Sequence, residues 1–300
     1  MFKTSFFTPS GVRIYTSVEQ NIAGFDPADT DDPQIQDILR KYKMRGRELM
    51  SENSEDALSW STFHALSGLA DKEWLTALFS AAVNEQFAKK YAPHVGLAQI
   101  RFWVSHVPPG IYLQWLRNKV RQEGEAAIKH LDPCSASRIM ASRRLQKIMQ
   151  GDQSEVPERA TEADIEIRLG KELIIFIEAK LFSDISVSGT FNPVRNQVVR
   201  NMEILEYTAQ TEGFKDRRFI LLTLDRKDKI YTQVMKRYRN SDMRMLREWD
   251  ELGDWLAVKE DLPHHAAKPD SYFQEMTLKM GWLLWSDCWK ILAHYSRRKK

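Results

Sequence analysis

The sequence predicts an α/β fold, a mixed central sheet flanked by helices, on three observations. Residues 161 to 169 alternate between polar and apolar, and beyond Gly170 residues 173 to 177 run continuously apolar, as two paired strands would. Stretches on either side repeat apolar residues at helical spacing behind cap signals. Residues 218 to 224, RFILLTL, supply a further buried strand.

Composition narrows the class. A chain of 300 residues with 43% hydrophobic content can bury a sizeable core. Cys134 and Cys288 are its two cysteines, without a CxxC or Cys/His cluster, so a disulfide framework and a structural zinc site are not expected. No signal-peptide core and no apolar run long enough to span a membrane is present, so a cytoplasmic protein is expected. Walker A, GxGxxG, GxSxG and HExxH motifs are missing. Net charge is only +3, but it is unevenly spread: residues 101 to 150 hold nine Lys and Arg against three acids, and residues 152 to 184 hold nine acids against four bases. An acidic pocket beside a basic wall suits a polyanion.

Taken in order, residues 1 to 31 have no decisive periodicity. Asp32–Pro33 opens a helix to about residue 50, and Ser54 caps a second through Leu58, Trp60, Phe63 and Leu66. His64 on that helix reads as a packed core histidine. Trp74 to Phe87 reads as one amphipathic helix, residues 97 to 104 as a strand, and helices follow after Gly110 and from about 135 to 149. Residues 151 to 160 form a linker into the hairpin. Asn192–Pro193 opens a helix bearing Gln197 and Asn201. A helix is expected over about 230 to 239, and a last, aromatic-rich helix over 271 to 295.

The hairpin carries the chemistry. A three-residue loop, Gly170 to Glu172, sets Leu169 opposite Leu173 and Asp164 opposite Glu178, whereas a two-residue loop would set Asp164 against Ile177. In the first register the two acids share a face with β-carbons about 5 Å apart, and Lys180 joins them. Ile174 and Phe176 lie on that face too, which a solvated hairpin would not carry. Two carboxylates so close call for a cation, and oxygen donors suit Mg²⁺ or Mn²⁺.

At Asp164, Glu178, Ala179 and Lys180 the chain resembles the PD-(D/E)XK nuclease superfamily, with its Asp followed across a hairpin by Glu-x-Lys. The resemblance implies a restriction-endonuclease-like αβββαβ core and a Mg²⁺- or Mn²⁺-dependent endonuclease acting on DNA in preference to RNA. The alternatives are an RNA nuclease and a catalytically inactive nucleic-acid-binding module. It implies metal ligation by Asp164, Glu178, the Ala179 carbonyl and a helix carboxylate, here Glu55 with Asp56 and Glu52 behind it. Glu155, Glu158 and Glu162 compete for that last role. Lys180 would position the attacking water. Gln197 falls where some members place a Gln-x-x-x-Tyr pair, but Asn201 stands in the second position. The expected organisation is one elaborated domain: core at about 52–70 and 155–262, a helical insertion at about 70–155, and the C-terminal helix, which also offers a homodimer contact. Arg143, Arg144 and Lys147 in the insertion are candidate phosphate contacts.

Overall fold

Gly170 adopts φ 55°, the left-handed conformation that lets the chain turn in three residues. Strands β4 (Thr161–Leu169) and β5 (Leu173–Ala179) therefore pair antiparallel with Leu169 opposite Leu173 and Ile165 opposite Ile177. The next positions in that register are Asp164 and Glu178, so the expected alignment holds.

The computed structural model describes residues 5–7, 13–26, 28–51, 53–181, 190–192, 195–224 and 255–297. Its centre is a five-stranded mixed sheet, β3 (Ala98–His106), β4, β5, β6 (Arg217–Thr223) and β7 (Met280–Leu284), in that spatial order. The first three strands are antiparallel, and β6 and β7 then add in parallel to β5. A short antiparallel pair, β1 (Ser5–Phe7) with β2 (Arg13–Tyr15), stands apart.

Helices cover both faces. Helices α1 (Pro33–Leu49), α2 (Glu55–Ser67), α3 (Glu73–Ala82) and α4 (Glu85–Tyr91), with the C-terminal α10 (Trp285–Arg297), pack on the face formed by Ile165, Ile167, Ile175, Ile177 and Ile220. Helices α7 (Gln197–Glu212), α8 (Trp255–Asp261) and α9 (Asp270–Leu278) cover the other, where Ile174, Phe176, Phe219 and Leu221 point. A third cluster, around Tyr112, Leu116, Leu145 and Phe191, joins α5 (Gly110–Glu123) to α6 (Ala136–Met149).

Several expectations are corrected. The helix expected from Trp74 to Phe87 breaks at Val83, because the Asn84 side chain caps a new helix by accepting from Phe87 N. The helix bearing Gln197 starts at that residue, capped by Asn196, while Pro193, where its first turn was expected, lies outside the described residues. The C-terminal aromatic stretch is helix, strand, helix: Met280–Leu284 pairs with β6, and a β-carbon on Gly281 would lie 2.6 Å from the Ala82 carbonyl oxygen. Strand β3, expected as a strand at 97–104, stands first in the sheet, and β7 adds at the other edge; both fall outside the core segments expected at about 52–70 and 155–262. Glu166, on the strand face opposite Ile165 and Ile167, is covered too. It is 2% exposed, under α7, where His106 Nε2 lies 2.8 Å from its carboxylate and Arg168 Nε donates at 2.5 Å. The helix expected at 230–239 and Glu52 lie outside the described residues.

One backbone feature sits beside the acids. Trp103 has φ 50°, and the β3–β4 ladder pairs Phe102 with Ile165 and Val104 with Ala163 but skips Trp103 and Asp164 between them. Ile165 and Ala163, two residues apart, consequently pack into opposite cores. A bulky residue held in this region costs about 1–3 kcal/mol, a strain that concentrates at functional sites.

Candidate active site

The end of β5, the start of α2 and the start of α7 converge on one cleft of about 1030 Å³, whose walls include Glu55, Asp164, Glu178, Lys180 and Gln197. Asp164 accepts a hydrogen bond from Ala179 N at 2.9 Å through Oδ2, bridging the two strands where their ladder ends. Glu178 is buried, and Lys180 Nζ lies 2.6 Å from its Oε1. Glu55, in the first turn of α2 behind the Ser54 cap, accepts from Leu181 N at 2.7 Å. The helix carboxylate is thereby tied to the residue after the Glu-x-Lys run.

Helix α7 supplies the support for Glu178. Gln197 Nε2 donates to Oε1 and Asn201 Nδ2 to Oε2, the latter at 2.8 Å. Residues four apart on a helix share a face, so both amides reach one carboxylate. Asn201 was read only as a departure from a family pattern; its i+4 spacing from Gln197 was the signal for this role.

Electrostatics set the two acids apart from a surface ion pair. Burial pushes the Asp164 carboxyl well above the usual carboxylate range, and the Glu178 and Asp56 charges push it further, against opposition from Lys180 and the Ala179 N–H. Burial lowers the Lys180 ammonium, but Glu178 and Asp164 outweigh it and hold its pKa above the ordinary lysine value. The site therefore holds a carboxyl that a cation would ionise and an ammonium that keeps its proton. The donors are hard oxygens, with no histidine or cysteine lining the cleft among the described residues, a set that fits Mg²⁺ or Mn²⁺.

The competing acids are each held by cations, although Asp56, Glu158 and Glu162 line the same cleft. Lys41, which the sequence did not single out, pairs with Glu162 at 2.9 Å and Asp56 at 3.3 Å. Asp56 also accepts from Trp103 Nε1 at 2.8 Å, so it braces the strained residue while Glu55 faces the Glu-x-Lys strand. Glu155 binds Arg144 at 2.9 Å and Lys147 at 3.6 Å, and Glu158 binds Arg195 at 2.7 Å. Arg144 donates as well to the Val156 and Pro157 carbonyls. Of the three expected phosphate contacts, Arg144 lines the cleft but braces the linker, Lys147 leans on Glu155, and Arg143 is exposed on α6. His64 stacks on Trp60 with ring centroids 4.2 Å apart, and its Nδ1 lies 2.8 Å from Gln34 Oε1, as a core histidine should.

A second cluster brings Glu203, His264 and His265 together, with ligand-type atoms within 4.8 Å of one another. Burial opposes ionisation of Glu203, but hydrogen bonds from both imidazoles and the Arg195 charge draw its pKa down to about 2. A ring donating from Nε2 leaves Nδ1 as a bare acceptor, and neither Nδ1 has a partner among the described residues. With Arg195 already on the carboxylate, this donor set is that of a buried polar brace between α7 and the 263–265 turn.

In comparisons with family models, curated proteins and solved structures, the chain matches none.

Proposed function

We propose that this protein is a metal-dependent phosphodiester hydrolase, an endonuclease of PD-(D/E)XK type acting on DNA ahead of RNA. The observation that carries the reading is the convergence of Asp164, Glu178, Lys180 and Glu55 in one cleft, with the Asp164 carboxyl held in a state that a divalent cation would ionise. The order helix, three antiparallel strands, helix, parallel strand in α2, β3, β4, β5, α7 and β6 supports the same reading.

Asp164 and Glu178 would hold Mg²⁺ or Mn²⁺ with the Ala179 carbonyl, and Glu55 would complete or tune the set. The bound ion would supply a water of lowered pKa and offset charge on the phosphate. Gln197 and Asn201 fix both Glu178 oxygens, so that carboxylate is oriented before any ligand arrives. Lys180 keeps its proton and so serves as a donor that orients the attacking water and balances phosphate charge, not as a general base. Arg45, Arg159 and Arg200 line the same cleft, and Arg200 Nε meets no partner among the described residues, which suits a polyanionic substrate.

The test is a panel of duplex DNA, single-stranded DNA and RNA incubated with and without Mg²⁺ or Mn²⁺. Metal-dependent cleavage is expected, falling by about a hundredfold or more in Lys180→Ala. Binding that survives metal removal with no cleavage of any substrate would instead identify a non-catalytic binding module. Absence of both would leave a structural protein.

A further inference from the structure

At the opposite end of β6 from the acidic cleft lies a second cavity, of about 440 Å³, lined by Phe87, Lys90, Asp216, Arg218 and Lys279. Arg218 is only 9% exposed, so nine-tenths of it is withdrawn from water. Its guanidinium lies over the Phe87 ring, 4.5 Å from the centroid, and Nη1 donates to the Leu278 carbonyl. Nε meets no partner, and Arg218 forms no ion pair with any described residue. A buried guanidinium that feels Asp216 only at a distance and has no direct ion pair is costly, and an aromatic face compensates only in part.

Among the described residues, the one acid lining the cavity is already saturated. Asp216 accepts from Lys279 at 2.8 Å, Lys90 at 3.1 Å, Tyr91 at 2.5 Å and its neighbour Arg217 N at 2.9 Å. Arg217 itself is neutralised outside the cavity by Glu206 and Glu275. Among the described residues, three cations therefore face one carboxylate, an excess of two positive charges around a space large enough for a ligand. A phosphate monoester carries about −1.5 to −2 near neutral pH, and a guanidinium fork suits its oxygens. A diester or a carboxylate would leave about one positive charge uncompensated.

We propose that this cavity binds a phosphate monoester group, of a mononucleotide or of a nucleic-acid 5′ end, with Arg218 as the fork and Lys90 and Lys279 as flanking charges. The site is independent of the acidic cleft and of its proposed chemistry.

The test uses the full chain in EDTA, with binding read by calorimetry and thermal shift for inorganic phosphate, 5′-AMP and adenosine. Phosphate and 5′-AMP should bind and adenosine should not. Lys90→Met, at an exposed position, and Arg218→Gln should each weaken 5′-AMP by about tenfold or more. Lys180→Ala should leave 5′-AMP binding unchanged. A pair of short oligonucleotides with and without a 5′-phosphate separates the sources: preference for the phosphorylated strand assigns the nucleic-acid end, and binding of 5′-AMP alone assigns the mononucleotide. No binding of any phosphorylated probe, or 5′-AMP binding in Lys90→Met equal to wild type, would overturn the proposal. So would loss of binding in Lys180→Ala with Lys90→Met unaffected.

Discussion

Asp164→Asn separates a metal site from a cross-strand ion pair, because it keeps the shape of the side chain and removes only its ability to ionise. The Asn carbonyl can still accept from Ala179 N, so the strand contact seen at 2.9 Å survives. What changes is the charge balance. The raised Asp164 pKa means that the native state holds a proton that the unfolded chain releases, so this group's contribution to stability is present below pH about 4 and is lost as pH rises toward its folded value. Each unit of that elevation corresponds to about 1.4 kcal/mol. In the absence of metal, the variant should therefore be more stable than wild type at pH 8, with the difference shrinking toward pH 4. With metal the order reverses. For a Kd of about 0.1–1 mM, 10 mM Mg²⁺ stabilises the wild type by about 1.4–2.7 kcal/mol, or about 3–10 °C for a chain of this size. The variant should show almost none of this. Differential scanning fluorimetry at pH 4, 6 and 8 with EDTA or Mg²⁺ measures both effects. An Asp164→Asn protein with the Mg²⁺ shift and pH slope of wild type would refute the reasoning outright.

Three further outcomes follow from the same geometry. Asn201→Leu removes one of the amides that orient Glu178 and should weaken Mg²⁺ binding by about 10- to 100-fold in a titration while the protein stays folded. Glu203→Gln should cost stability near neutral pH. The wild-type pKa is depressed from 4.5 to about 2, so the carboxylate contributes on the order of 3 kcal/mol above pH about 4.5 that disappears as pH falls toward 2, and denaturant melts across that window should converge. Arg144→Ala should destabilise by about 1–3 kcal/mol because the Glu155 carboxylate and the linker carbonyls lose their donor, whereas Arg143→Ala should stay within about 0.5 kcal/mol. Equal urea midpoints for the two arginine variants would show that the brace contributes nothing.

Much of this architecture is written locally. Gly170 and the alternation on either side of it determine the hairpin and its register, because a one-residue slip would carry every apolar side chain to the wrong face. The caps at Asp32 and Ser54 determine where α1 and α2 begin, since short polar side chains satisfy the first free N–H groups. Asp164, Glu178, Lys180 and Glu55 were thus legible as a set before their positions were known.

What the sequence left open depends on partners far along the chain. Residues 280–284 are apolar and short, readable as helix or strand, and only β6 beside them makes them a strand. Glu166 reads as one polar position in an alternating strand, and only α7 above it and His106 and Arg168 beside it show how its buried carboxylate is satisfied. The two amides on Glu178, the Lys41 pairings and the cation excess around Arg218 likewise arise where distant segments meet. Caps, turns and periodicity act over a few residues and can be read along the chain; charge compensation and burial are set by whatever the fold brings alongside, which only the tertiary structure decides.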